Sequence, residues 1–85
     1  MTSSSSTNLS PASITALLRA TLSVQVADDD TDLFGSGLLD SLGLIDLFLA
    51  LEEAYGINIV VDEVDLDDFR SVTSIVRYVE RQRSL

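Results

Sequence analysis

The sequence predicts an all-α domain, a small four-helix bundle of three main helices and one short third helix. Apolar residues recur at helical spacing in three separate segments, and residues typical of helix starts and stops flank these segments. The composition, 46% hydrophobic and 22% charged, is that of a folded globular chain. Residues 1–8 are rich in Ser and Thr and are expected to form a flexible leader, so the domain is assigned to residues 9–85.

The first helix is predicted over about residues 11–24. Ser10 suits the N-cap, and Pro11, the only proline of the chain, suits the first helical position. We expect one apolar face of this helix to pack in the core. That face carries Ile14, Leu17, Leu18 and Leu22.

A long loop follows and is predicted to end near residue 40. Three of its aspartates, Asp28, Asp30 and Asp32, have the spacing of the first ligands of a calcium loop. Such a loop also needs glycine where this chain has Leu33, and a bidentate glutamate where it has Leu39. We therefore expect no metal site and interpret the acidic run as a solvated loop that ends the first helix. The apolar anchors expected to hold the loop are Leu33, Phe34, Leu38 and Leu39.

The second helix is predicted from Asp40, a good N-cap, to Tyr55, before the helix-stopping Gly56. Its expected core stripe consists of Leu44, Leu47, Leu51 and Tyr55. A second apolar line is formed by Leu42, Ile45 and Leu49, with Phe48 between the two lines. A surface helix of a small bundle needs only one apolar stripe, about 100° wide. The second apolar line therefore indicates a partner-binding face or the lining for a guest molecule, or else extra contact with the long loop.

The remainder of the chain is predicted to hold the short third helix and the last helix. Residues 57–61 are expected to form an extended, largely buried connection. The short helix should lie within residues 62–70, with Val64, Leu66 and Phe69 as its apolar contacts. Ser71 is expected to cap the last helix, whose C-terminal arginines complement the helix dipole. The apolar face of this helix comprises Val72, Ile75, Val76 and Val79.

Composition and charge exclude several classes of function. The chain has no Cys and no His, so a thiol nucleophile, a disulfide framework and an unaided general base near neutral pH are missing. We therefore expect a protein that is not an enzyme by itself. The net charge of −9 opposes binding to nucleic acid and to anionic membranes. No apolar run approaches the roughly 18 residues of a membrane span, and the N-terminus does not resemble a secretory signal, so we expect no membrane insertion and a cytoplasmic location.

Ser41 is the most informative side chain for function. If Asp40 caps the second helix, Ser41 is its first residue, and a phosphate ester there would lie at the positive end of the helix dipole. No His or Lys is available to activate this hydroxyl, which favours a serine modified by another enzyme over a catalytic serine. Judged from its position alone, an ordinary helix-start serine is the favoured interpretation.

The spaced motifs of the chain resemble those of the acyl carrier protein family. They are Asp32-Leu33-Phe34, Gly37-Leu38-Leu39-Asp40-Ser41-Leu42, Leu51-Glu52-Glu53 and Tyr55-Gly56-Ile57, and the resemblance covers about residues 10–83. Within the family, the segment Glu63–Phe69 and the Leu-Leu-Asp-Ser approach are most similar to free-standing D-alanyl carrier proteins and similar stand-alone carriers. Gly43, which stands where fatty-acid synthesis carriers have an acid, is interpreted as leaving room for a partner or a tethered group.

The resemblance implies a covalent cofactor, 4′-phosphopantetheine, attached to Ser41. It also implies an acyl or aminoacyl thioester as cargo, in secondary-metabolite biosynthesis or D-alanylation. The implied partners are a phosphopantetheinyl transferase, an adenylating ligase or acyltransferase, and a downstream acyl-accepting enzyme. An unmodified acidic helical interaction module is the alternative function. The residues expected to form the partner-recognition surface are Asp40, Leu42, Ile45, Asp46, Leu49, Glu52 and Glu53.

Overall fold

The computed structural model describes residues 9–83, which form three α-helices and two 3₁₀ helices. The α-helices are α1 (Pro11–Leu22), α2 (Ser41–Tyr55) and α3 (Val72–Arg83). The predicted all-α class is confirmed for these residues. The expected leader, residues 1–8, and the last two residues of the assigned domain lie outside them.

A short third α-helix is not confirmed. The segment predicted to contain it forms two 3₁₀ helices instead, Val61–Glu63 and Leu66–Phe69. Val64 and Asp65 separate them with extended backbone conformations. Each piece spans only three or four residues, too few to nucleate an α-helix. The connection before them is also more open than predicted, because Ile59 is buried whereas Val60 and Val61 are about half exposed.

Capping residues set the ends of the helices. The Ser10 hydroxyl accepts a hydrogen bond from the Ser13 N–H, which confirms the predicted start of α1. The helix ends at Leu22 rather than near residue 24, because Ser23 adopts a left-handed conformation with φ of 58°. Gly56, with φ of 66°, ends α2 as predicted. Ser71 accepts a hydrogen bond from the Ser74 N–H, as expected for the cap of α3.

The core lies between the three α-helices and the second 3₁₀ helix. Phe69 is fully buried, and its ring centroid lies 4.9 Å from that of Phe48 and 4.8 Å from that of Tyr78. Tyr78 was not among the predicted core residues. Burial raises the pKa of its phenol, and the negative charge of Asp68 raises it further. Tyr55 is half-buried at the other end of its stripe, where its hydroxyl lies 2.9 Å from the Ser13 hydroxyl.

The long loop before α2 is fixed to the start of α3. Leu33 and Leu39 are buried, and the Leu33 N–H donates a hydrogen bond to the Arg70 carbonyl over 2.7 Å. The Thr73 N–H donates to the Asp29 carbonyl over 3.0 Å. These contacts fix the position at which the loop joins the first turn of α2.

Candidate functional site at the start of α2

Ser41 is the first residue of α2 and is exposed to solvent. The Asp40 carboxylate precedes it as the N-cap and accepts a hydrogen bond from the Gly43 N–H over 2.8 Å. Within residues 9–83 the Ser41 hydroxyl has no hydrogen-bond partner. The site therefore presents an accessible hydroxyl on a rigid helical turn.

The surroundings of Ser41 suit a phosphate ester but not an activated nucleophile. The backbone N–H groups of a first helical turn lack intrahelical acceptors and carry the positive end of the helix dipole. In this turn the Asp40 carboxylate accepts a hydrogen bond from the Gly43 N–H. The chain has no His or Lys to take a proton from the hydroxyl. The residues present thus fit a serine that receives a phosphate-linked group from another enzyme.

Gly43 has a structural explanation within the chain itself. A Cβ atom at this position would lie 3.2 Å from Leu39 Cδ1 and 3.3 Å from Asp40 Oδ1. A side chain at residue 43 would therefore crowd the capping carboxylate and the buried loop anchor. The absence of a side chain at Gly43 is therefore explained by its neighbours in the chain itself. The interpretation from the sequence was different, namely that the glycine leaves room for a partner or a tethered group.

The second apolar line of α2 is exposed, as a partner-binding face requires. The exposed fractions of Leu42, Ile45 and Leu49 are 79%, 44% and 57%. They are not covered by the long loop, which removes the simplest alternative explanation of the second apolar line. Phe48, between the two lines, is 4% exposed and belongs to the core.

Two exposed acids lie on the same face of α2. At about 100° per residue, Glu53 and Asp46 lie about 20° and 40° around the helix from Leu42, next to the sector occupied by Leu42 and Leu49. Glu52 differs, because it is half-buried and its carboxylate accepts a hydrogen bond from the Ile59 N–H over 2.8 Å. It stands at the edge of the face and connects α2 to the following segment. We define the exposed α2 face as Leu42, Ile45, Asp46, Leu49 and Glu53.

The aspartates of the long loop stabilise its turns. Asp28 accepts hydrogen bonds from the Asp30 N–H and the Thr31 hydroxyl, and Asp32 accepts from two successive N–H groups. The Thr73 hydroxyl lies 3.2 Å from an Asp30 carboxylate oxygen. Across residues 9–83, no group of three or more acidic side chains is arranged to hold a metal ion.

Sequence reasoning missed the contacts that position the site from a distance. The Leu33 N–H donates to the Arg70 carbonyl, and Thr73 donates to the Asp29 carbonyl, so these hydrogen bonds join residues that are far apart in the chain. The apolar residues Leu33, Phe34, Leu38 and Leu39 predicted that the loop is anchored, but not to which part of the chain. No helix within the described part of the chain has the length and apolar character that a membrane crossing requires.

Comparison with known proteins gives a family for the chain. The family model described as "Phosphopantetheine attachment site" matches residues 12–79. D-alanyl carrier proteins of Streptococcus pyogenes, from serotype M5 (strain Manfredo), serotype M49 (strain NZ131) and serotype M1, are each 45% identical over 51 residues. The matched region covers 60% of this chain and 65% of each relative, slightly less than two thirds of their length.

The matched family region includes the whole of α2 and most of α1 and α3. It therefore contains the exposed serine, its capping aspartate and the loop that leads to them. Because the family model spans well over half of the sequence, the chain belongs to the acyl carrier protein family, whose cofactor is covalently attached 4′-phosphopantetheine.

Proposed function

We propose that this chain is a stand-alone carrier that holds a small acyl or aminoacyl group as a thioester on 4′-phosphopantetheine attached to Ser41. The observation that carries the proposal is the exposed, unpartnered Ser41 hydroxyl at the first residue of α2, within residues 9–83. When bound, the cofactor supplies the thiol, which suits a chain without cysteine. The carrier is assigned to residues 9–85 and is not catalytic by itself.

The residues around Ser41 have defined roles in this proposal. Asp40 holds the first turn of α2 through the Gly43 N–H, so that the hydroxyl is presented in one orientation of the helix. The start of α2 stabilises the negative charge of a phosphate attached there. The buried anchors Leu33 and Leu39 keep the preceding loop in place.

D-alanylation is the process in which we propose that the carried group is used. The relatives that match over the 51-residue region are named D-alanyl carrier proteins. Secondary-metabolite biosynthesis would use the same site chemistry but has no such support. Loading occurs in trans, since the chain has no general base of its own, and an adenylating ligase or acyltransferase supplies the acyl group before a downstream enzyme accepts it.

Attachment is tested by mass spectrometry. We expect a promiscuous phosphopantetheinyl transferase with coenzyme A to add one phosphopantetheine to the 85-residue chain. A chain whose mass never changes under conditions that modify a known carrier would support the unmodified interaction module instead.

The exposed α2 face is the proposed docking surface for these partners, with Asp40 and Glu52 at its edges. An apolar centre surrounded by charge is typical of transient protein interfaces. We predict that Ile45→Arg slows cofactor transfer or loading about tenfold or more, because it places a charge at that centre, as hot-spot losses of 2 kcal/mol imply. The helix signal in circular dichroism should be unchanged, since Ile45 is 44% exposed. Loss of that signal would show that Ile45 supports the core.

Asp46→Lys is the matched electrostatic variant of this face. Asp46 is exposed, so its charge should act mainly on the rate of association. We expect slower transfer at low salt and a weaker dependence of the rate on salt. An unchanged rate at all salt concentrations would exclude Asp46 from the docking surface.

The packed core favours a small cargo. Leu44, Phe48 and Leu51 are buried at 8%, 4% and 0% exposure, and Phe48 contacts Phe69. A long acyl chain would have to displace these side chains from a closely packed interior. We predict that amide chemical shifts of the three residues are the same with a two-carbon and a long-chain acyl group on the cofactor. Large shifts that grow with acyl length would contradict a small cargo held outside the bundle.

A further inference from the structure

A second apolar surface lies outside the exposed α2 face. Val60, Val61 and Leu66 have exposed fractions of 47%, 53% and 55%. They flank or belong to the two 3₁₀ helices, and the second of these packs against α3. No Cα atom of either 3₁₀ helix lies within 8 Å of a Cα atom of α2. A partner that binds the exposed α2 face therefore does not explain why these three apolar residues are exposed.

A cleft of about 120 Å³ opens beside this surface, between the segment 58–64 and α3. An apolar cavity of about 150 Å³ accommodates benzene, so this cleft is large enough for one aliphatic side chain. Two valines and a tyrosine ring provide apolar walls, and two amides and a carboxylate provide polar ones. The lining residues are Asn58, Val60, Glu63, Val64, Tyr78 and Gln82.

Tyr78 is the buried tyrosine that lines this cleft. Tyr78 is only 5% exposed, and its hydroxyl has no hydrogen-bond partner within residues 9–83. Buried polar groups in native proteins are nearly always hydrogen-bonded. Burial also raises the pKa of this phenol, so the hydroxyl remains protonated and available as a donor. The cleft thus lacks an acceptor that a bound segment could supply.

One acid, Glu63, lines the cleft, and two more lie close to it in the chain. Asp62, Glu63 and Asp65 are exposed, and none of them forms an ion pair in the part of the chain that the structure describes. The neighbouring Asp67 and Asp68 are instead paired with Arg70 and Arg81. Unpaired charges of one sign beside a cleft favour an occupant of the opposite charge.

We propose that this cleft is a docking site for a partner protein segment that presents one aliphatic side chain flanked by lysine or arginine. The aliphatic side chain lies between Val60, Val64 and the Tyr78 ring, and the flanking cations face Asp62, Glu63 and Asp65. The Tyr78 hydroxyl donates a hydrogen bond to a backbone carbonyl of the segment. The site is separate from Ser41 and goes beyond the proposed carrier function.

The test uses the ¹⁵N-labelled full chain and short capped peptides. Acetyl-Gly-Arg-Leu-Arg-Gly-amide is titrated into the unmodified and the phosphopantetheine-bearing protein, and amide shifts are recorded. The two control peptides replace both arginines by glutamate or the leucine by glycine. We expect saturable shifts at Val60, Val64, Tyr78 and Gln82 with the first peptide only, in both forms of the protein. Equal shifts with the glutamate or glycine peptide, no shifts, or shifts confined to α2 would overturn the proposal.

Two variants examine the walls of the cleft, and a third serves as the control. Val60→Ser shortens an exposed apolar residue without adding charge, and should weaken peptide binding at least about fivefold while the helix content stays constant. Tyr78→Phe removes only the hydroxyl and should weaken binding roughly fivefold, the effect of one hydrogen bond. Leu49→Ser, on the exposed α2 face, is the matched control and should leave peptide binding unchanged. Wild-type affinity in Val60→Ser would exclude the cleft whether or not Tyr78→Phe folds.

Because the peptide test does not depend on Ser41, its outcome is distinct from that of the carrier proposal. A chain that accepts phosphopantetheine but binds no peptide retains the carrier function and loses this docking site. A chain that binds the peptide but is never modified retains this docking site and loses the carrier function.

Discussion

Ser41→Ala is expected to abolish phosphopantetheine attachment completely while leaving the fold intact. The variant removes the only hydroxyl in the first turn of α2, which is the oxygen to which we propose that the cofactor is attached. The Ser41 side chain is exposed and is not the cap of the helix, so the free energy of unfolding should change by less than about 1 kcal/mol. Mass spectrometry after incubation with transferase and coenzyme A gives the readout.

Ser36→Ala is the matched control for this experiment. Ser36 is also exposed, lies five residues earlier in the loop and donates a weak hydrogen bond to the Leu33 carbonyl over 3.4 Å. We expect this variant to be modified as fully as the parent. Modification of Ser41→Ala to the same extent would assign attachment to another serine and contradict the proposed site.

Phe69→Ala is expected to destabilise the domain by about 3–5 kcal/mol, the range for truncating a buried phenylalanine. Phe69 is fully buried and contacts the rings of both Phe48 on α2 and Tyr78 on α3. Folded domains are commonly stable by only about 5–15 kcal/mol, and small ones lie at the lower end. The variant should therefore be largely unfolded or should melt at a much lower temperature, as measured by urea titration and circular dichroism.

Leu66→Ala provides the comparison within the same 3₁₀ helix. Leu66 is 55% exposed, so its truncation should cost less than about 1 kcal/mol. Equal destabilisation by the two variants would mean that the second 3₁₀ helix does not contribute its phenylalanine to the core as described.

The starts of α1, α2 and α3 and the end of α2 could be predicted because local chemistry determines them. Ser10, Asp40 and Ser71 accept hydrogen bonds from N–H groups of the first helical turn, and Gly56 adopts the left-handed conformation that ends α2. The end of α1 was less accurate, since Ser23 is a rare non-glycine residue with positive φ. No residue pattern nearby signals that conformation.

The segment after α2 was predicted less well, because its structure depends on contacts made elsewhere. Phe69 was expected to be an apolar contact and is buried, but Leu66 is exposed although both are apolar residues of the same short segment. The partner of the Glu52 carboxylate, the Ile59 N–H, is seven residues away and belongs to no helical pattern. Sequence spacing places Ser41 and the exposed α2 face, whereas the burial of Tyr78 requires the packed neighbours Phe69 and Arg81.

The hydrogen bonds between the long loop and the start of α3 have a consequence for amide hydrogen exchange. Leu33 and Thr73 lie outside regular helical hydrogen bonding, yet their N–H groups donate to Arg70 and Asp29 across the fold. Their exchange with solvent therefore requires the loop and the start of α3 to separate, a cooperative opening and not the fraying of a free loop. The approach to Ser41 consequently opens with the last helix of the chain, and the protection of these two amides measures how firmly the serine is held in place.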